Sequence, residues 1–117
     1  MEDKTAQFKA IRIAEQRANY LVVEDKTENN GVVYYNFDCY SYHQPIARVF
    51  ENKLYINTFW WNYSTTTRKH YKEFITTWWG CSDNCFNLIK KAIKYKHSED
   101  LDRLVSLGII LEAFIRV

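Results

Sequence analysis

Ser64 to Gly80 constrains the fold more than any other stretch of the chain. Tyr71, Phe74, Ile75, Trp78 and Trp79 recur at i, i+3, i+4, i+7 and i+8, the spacing of one apolar helix face, while Lys69, Lys72, Glu73, Thr76 and Thr77 point elsewhere. Ser64 to Thr67 offers hydroxyls for an N-cap, and Gly80 suits the C′ position that ends a helix. A stripe this apolar must lie against a sheet, and the residues before it supply one. Ile46–Phe50 and Leu54–Trp61 read as a hairpin around Glu51-Asn52-Lys53.

Upstream, Tyr20–Glu24 reads as a first strand, Asp25–Gly31 as a polar turn, and Val32–Tyr42 as a second strand. Alternation assigns Val33, Tyr35, Phe37 and Cys39 to its core face, and Tyr34, Asn36, Asp38, Tyr40 and Tyr42 to a polar face. His43-Gln44-Pro45 breaks or reroutes this strand, because proline lacks the N–H of a ladder and sits at edges or bulges. In the 54–61 strand, Leu54, Ile56, Thr58 and Trp60 share one face; Tyr55, Asn57, Phe59, Trp61 and Tyr63 share the other.

The flanks read as helices. Residues 3–19 form an amphipathic pattern through Phe8, Ile11, Ala14 and Ala18, with Glu2 and Asp3 at the positive end of its dipole. Asp83 caps a helix to about Lys96, with Phe86, Ile89, Ala92 and Ile93 on one stripe. Ser98 caps another that buries Leu101, Leu104 and Val105. Gly108 either ends that helix ahead of a strand over 109–117 or sits inside it. The expected architecture is one α+β domain over residues 1–117: an antiparallel sheet of three to five strands, an N-terminal helix and a helical C-terminal half.

Charge and cysteine usage narrow the function classes. A net charge of +2 conceals a block over residues 68–96 in which Arg68, Lys69, Lys72, Lys90, Lys91, Lys94 and Lys96 face only Glu73 and Asp83. Such a block reads as a solvated helix face or as an anion-binding patch. Cys39, Cys81 and Cys85 are odd in number and follow no secretory signal, so buried thiols in a reducing cytoplasm are expected. The four-residue step from Cys81 to Cys85 is not a zinc spacing, and neither metal nor cofactor is expected. No apolar run reaches the roughly 20 residues of a membrane span.

Candidate recognition residues gather where aromatic and basic letters interleave. Ser64 to His70 joins hydroxyls, helix N-terminal N–H groups and cations, the elements that hold a phosphate or carboxylate, and also those of a plain capped helix start. The partner-binding set is Tyr40, Tyr42, Trp61, Tyr63, Thr66, Arg68, Lys69, His70 and Lys72, with Lys90, Lys91 and Lys94 as a second basic patch. His70 serves either as a ligand-facing donor or as a bond back to the Tyr40–Tyr42 strand. The lone trio of nucleophile, carboxylate and imidazole, Cys39 with Asp38 and His43, is split by strand alternation, so no catalytic residue and no enzyme are expected.

Tyr40-Ser41-Tyr42, Pro45-Ile46-Ala47, Leu54-Tyr55-Ile56-Asn57 and Tyr63-Ser64-Thr65-Thr66-Thr67-Arg68-Lys69-His70 together resemble a family of small proteins encoded by phages and other viruses of prokaryotes. The resemblance covers about a third of the chain, and Arg68-Lys69 ahead of His70 shifts the family's Thr-Thr-x-Lys-His pattern by a residue. It implies a non-enzymatic, anti-CRISPR-like inhibitor in the host cytoplasm that binds a host protein such as a CRISPR effector ribonucleoprotein. The alternative is an accessory protein that binds nucleic acid directly through the basic and aromatic surface.

Overall fold

The computed structural model describes residues 12–112, with the side chain of Glu112 excepted. Five strands follow one another as an antiparallel meander: β1 (Arg12–Arg17), β2 (Tyr20–Asn29), β3 (Val32–Ser41), β4 (Gln44–Phe50) and β5 (Lys53–Asn57). A 3₁₀ turn (Thr58–Trp60) leads to α1 (Thr65–Phe74), a π-helical turn (Ile75–Trp79), α2 (Asp83–Tyr95) and α3 (Ser98–Ser106). Finally β6 (Ile109–Glu112) returns alongside β5 in parallel, giving a six-stranded mixed sheet in sequence order.

Turn chemistry explains the meander. Asn30-Gly31, Tyr42-His43 and Glu51-Asn52 each place two successive residues at positive φ, as the two-residue turns that match strand twist require. Strand β2 therefore runs through most of the expected polar turn, and β3 ends at Ser41. Pro45 does not interrupt the sheet: it lies within β4, opposite Tyr40, where a bulge separates the Cys39 and Tyr40 pairings.

One sheet face carries the core. Val22, Cys39, Ala47, Ile56 and Leu111 stand in register across five strands, and all but the half-buried Leu111 are fully buried. The helices pack here. Phe74 and Ile75 are wholly buried, Trp78 meets Phe37 at 4.7 Å between ring centroids, and Phe86, Ile89 and Ala92 bring in α2. Gly80 ends the π turn at φ 83°, where a residue with a Cβ would be strained.

Several expectations give way to packing. The expected N-terminal helix is a strand over Arg12–Arg17; its start at residues 3–11, with Phe8, lies outside the described residues. As an edge strand it is polar on both sides, and its charges act across the ladder, Arg12 pairing with Glu24. Val33 and Tyr35 are exposed because the helices cover only the far half of β3, whereas Asn36, on the expected polar face, is buried. Its amide donates to Asp25 Oδ1 (2.9 Å) and Thr27 Oγ1 (3.1 Å) and accepts the Glu51 N–H (2.9 Å).

Further along, β5 stops at Asn57, whose side chain accepts the Phe59 N–H at 3.1 Å and turns the chain, so the expected strand does not reach Trp61. Ser82 rather than Asp83 caps α2, and His97 precedes α3 without a side-chain cap. Val105 is 62 % exposed. Gly108, at φ 84°, ends the third helix ahead of β6, while residues 113–117 lie outside the described residues. Cys81 and Cys85 are joined as a disulfide between the π turn and α2, against the expectation of free thiols; Cys39 alone is free, and burial pushes its thiol pKa well up.

Candidate anion-binding groove

The 58–63 turn, α1 and α2 converge on Trp61. Its ring is 4 % exposed and lies between Tyr71 (4.7 Å) and Phe86 (5.9 Å). Above it sits Arg68, its guanidinium 4.8 Å from the ring centroid, donating to the Trp61 carbonyl (3.0 Å) and Asn62 Oδ1 (2.7 Å). Both acceptors are neutral. The guanidinium is thus held in place without a carboxylate partner among the described residues, at the wall of a groove of about 710 Å³.

Across that groove α2 presents Lys90, Lys91 and Lys94, and Lys96 ends the helix in the left-handed conformation at φ 57°. Five cations line the space, with Trp61, Asn62, Ile93 and Tyr95, and among the described residues no carboxylate does. Lys91 is partly neutralised by Asp100 at 3.8 Å. Lys94 rests 5.2 Å over the Tyr95 ring, which is itself 56 % exposed. Asn62 and Arg68 also belong to a smaller adjoining recess of about 330 Å³, closed by Ser64 and Thr65 at the start of α1.

The expected recognition residues divide into groups. Arg68 and the Lys90, Lys91, Lys94 patch, read as two separate surfaces in sequence, share the groove. Thr66 and Lys69 are exposed on α1, and Lys72 reaches toward Asp83 at 4.0 Å. Tyr42 and Tyr63 meet at 6.0 Å, whereas Tyr40 lies on the sheet face away from the helices. His70 turns inward: its Nδ1 is 2.7 Å from Ser41 Oγ, its ring meets that of Tyr20 at a tilt with 4.9 Å between centroids, and burial with Arg17 nearby lowers its pKa below the ordinary imidazole value. Of the two roles expected for it, the bond back to the strand is the one formed.

A family model of unknown function matches residues 7–94, well over half of the sequence. The chain belongs to that family, DUF8033. No curated protein and no solved structure matches the chain. The DUF8033 match spans the whole sheet except β6, together with α1 and nearly all of α2, so it takes in most of the groove lining and stops short of Tyr95 and Lys96. Asn62, Tyr95 and Lys96 line the groove without having been expected there. Lys96 had its place in the basic block, but nothing in the sequence marks Asn62 or Tyr95 as its neighbours.

Proposed function

We propose that this protein binds a phosphate-bearing polyanion, nucleic acid foremost, along the groove between the 58–63 turn, α1 and α2. The observation that carries the reading is a recess lined by five cations and, among the described residues, no carboxylate, one of the cations being a guanidinium already fixed by neutral acceptors. Such a site holds phosphates at little ordering cost, since Arg68 gives up its rotamer freedom on folding rather than on binding. Fluorescence anisotropy with labelled oligonucleotides tests it. Between about 50 and 200 mM salt, four phosphate contacts reduce affinity on the order of a hundredfold. Lys90→Glu with Lys94→Glu removes most of the binding; an unchanged affinity in that variant takes the groove out of the site.

A second reading keeps a protein partner, as an inhibitor of a nucleic-acid-guided effector nuclease. The exposed rings of Phe59 and Tyr63 favour it, because aromatic side chains of this kind anchor protein interfaces. Recovery of a nuclease from host lysate after exhaustive nuclease digestion of nucleic acid supports this reading, and loss of all partners on digestion rejects it.

A further inference from the structure

We propose that the ligand is a single-stranded nucleic acid and that Phe59 and Tyr63 form a stacking shelf for its bases beside the groove, an inference that rests on the groove reading above. Phe59 is 71 % exposed and Tyr63 58 %. Each ring has an aromatic neighbour. Half-buried Trp60 lies edge-on to both, at 4.9 Å from Phe59 and 5.5 Å from Tyr63, and Tyr42 braces Tyr63 from the β3–β4 turn. The backbone beneath is fixed as well, since Asn57 accepts the Phe59 N–H and the Tyr63 N–H donates to the Trp60 carbonyl at 3.1 Å.

Position ties the shelf to the cations. Tyr63 joins Asn62 to Ser64, both of which line the smaller recess, and that recess shares Asn62 and Arg68 with the main groove. The smaller recess at the end of the cationic track is therefore one residue along the chain from Tyr63, and Trp60 joins the Tyr63 ring to that of Phe59. Duplexes turn their bases inward and offer this surface phosphates only, leaving the rings with nothing to cover them. A single strand brings phosphates for the track and unstacked bases for the shelf together, which is how sequence-tolerant single-strand binders combine charge with stacking. Charge complementarity picks the occupant: an apolar protein segment would cover the rings and leave five cations idle.

The test measures binding of a thymidine oligonucleotide of about twelve residues, the matching duplex, and inorganic polyphosphate as a base-free probe. The parent protein is expected to bind the single strand most tightly. Phe59→Ala with Tyr63→Ala is expected to weaken the single strand by about tenfold for each ring that stacks, and to leave polyphosphate unchanged. Phe59→Trp and Tyr63→Phe, which keep a π-face, retain affinity, while Phe59→Leu and Tyr63→Leu lose it despite keeping apolar bulk. Circular dichroism confirms that each variant is folded. Equal affinity of the parent for all three probes, or a double alanine variant that binds the single strand like the parent, overturns the shelf and leaves the groove standing. Absence of binding to every probe at low salt overturns both.

Discussion

Helix α1 (Thr65–Phe74) carries two flanks of opposite character along its length. Inward, Thr67, His70, Tyr71 and Phe74 are buried, and Ser41 Oγ bonds both Thr67 Oγ1 (3.0 Å) and His70 Nδ1 (2.7 Å) while the Tyr71 hydroxyl donates to the Asn57 carbonyl. Outward, Thr66, Lys69 and Lys72 meet solvent, and Arg68 leans into the groove. Thr67 and Arg68 are neighbours in the chain, yet one belongs to the architecture and the other to the surface proposed for binding. Polar letters at a helix start are thus not one functional unit: the step of about 100° per residue sorts them.

The largest expected effect separates the flanks by stability. Phe74→Ala empties a wholly buried site between helix and sheet and is expected to cost about 3–5 kcal/mol, a large part of the roughly 5–15 kcal/mol that holds a domain of this size. Lys69→Ala, on the exposed flank, is expected to change stability by under about 0.5 kcal/mol. Urea unfolding of the two variants checks the contrast, and similar midpoints would mean that the inward flank does not anchor the helix.

A smaller effect, read through pH, sharpens the inward flank. His70 is held neutral by burial first and by Arg17 second, with Glu73 opposing them, and the Tyr20 and Tyr42 rings packed beside it carry no charge. Its folded pKa lies below the unfolded value of about 6.5, so the unfolded chain takes up the proton first. The stability that His70 contributes is complete above that value and is lost as pH falls from it toward the folded pKa, by at most about 1.4 kcal/mol per pH unit for one proton. His70→Gln, which keeps a hydrogen-bonding group but does not titrate, is expected to flatten the stability profile in that window. An unaltered slope would assign the pH dependence to carboxylates instead.

How much of this was legible follows from what each pattern depends on. The stripe of Tyr71, Phe74 and Ile75, the stop at Gly80 and the hairpin turn before it are local and fold as their spacing predicts, although the second hairpin strand ends at Asn57, short of Trp61. Strand β1 was misread because Ile11, Ala14 and Ala18 fit a helical period, while an edge strand with charges on both sides has no alternation to betray it. Strand β6 depends on a parallel partner more than fifty residues earlier, Leu54 against Ile109, which no local signal reports. The groove was hidden for the same reason. Arg68 and Lys90 are far apart in sequence and come to line one groove in the fold, where Trp61 packs against Tyr71 of α1 and Phe86 of α2.

Ser64 stands where the flanks meet, and so gives the smallest but most discriminating effect. Its hydroxyl caps α1 by accepting the Thr67 N–H at 3.0 Å, and the same residue lines the recess beside Arg68. Ser64→Ala removes the cap and is expected to cost about 1 kcal/mol, with only a minor loss of oligonucleotide affinity. Ser64→Asp supplies an equally good cap and a charge that the helix dipole favours, so stability returns to that of the parent or above it. The carboxylate also places a negative charge at the edge of the cationic track, and affinity is expected to fall by several-fold. Stability and affinity therefore move in opposite directions between the two variants, which a purely structural role for this junction does not produce. If calorimetry and anisotropy instead show Ser64→Asp binding as tightly as the parent, the ligand does not pass over the start of α1 and the track ends at Arg68.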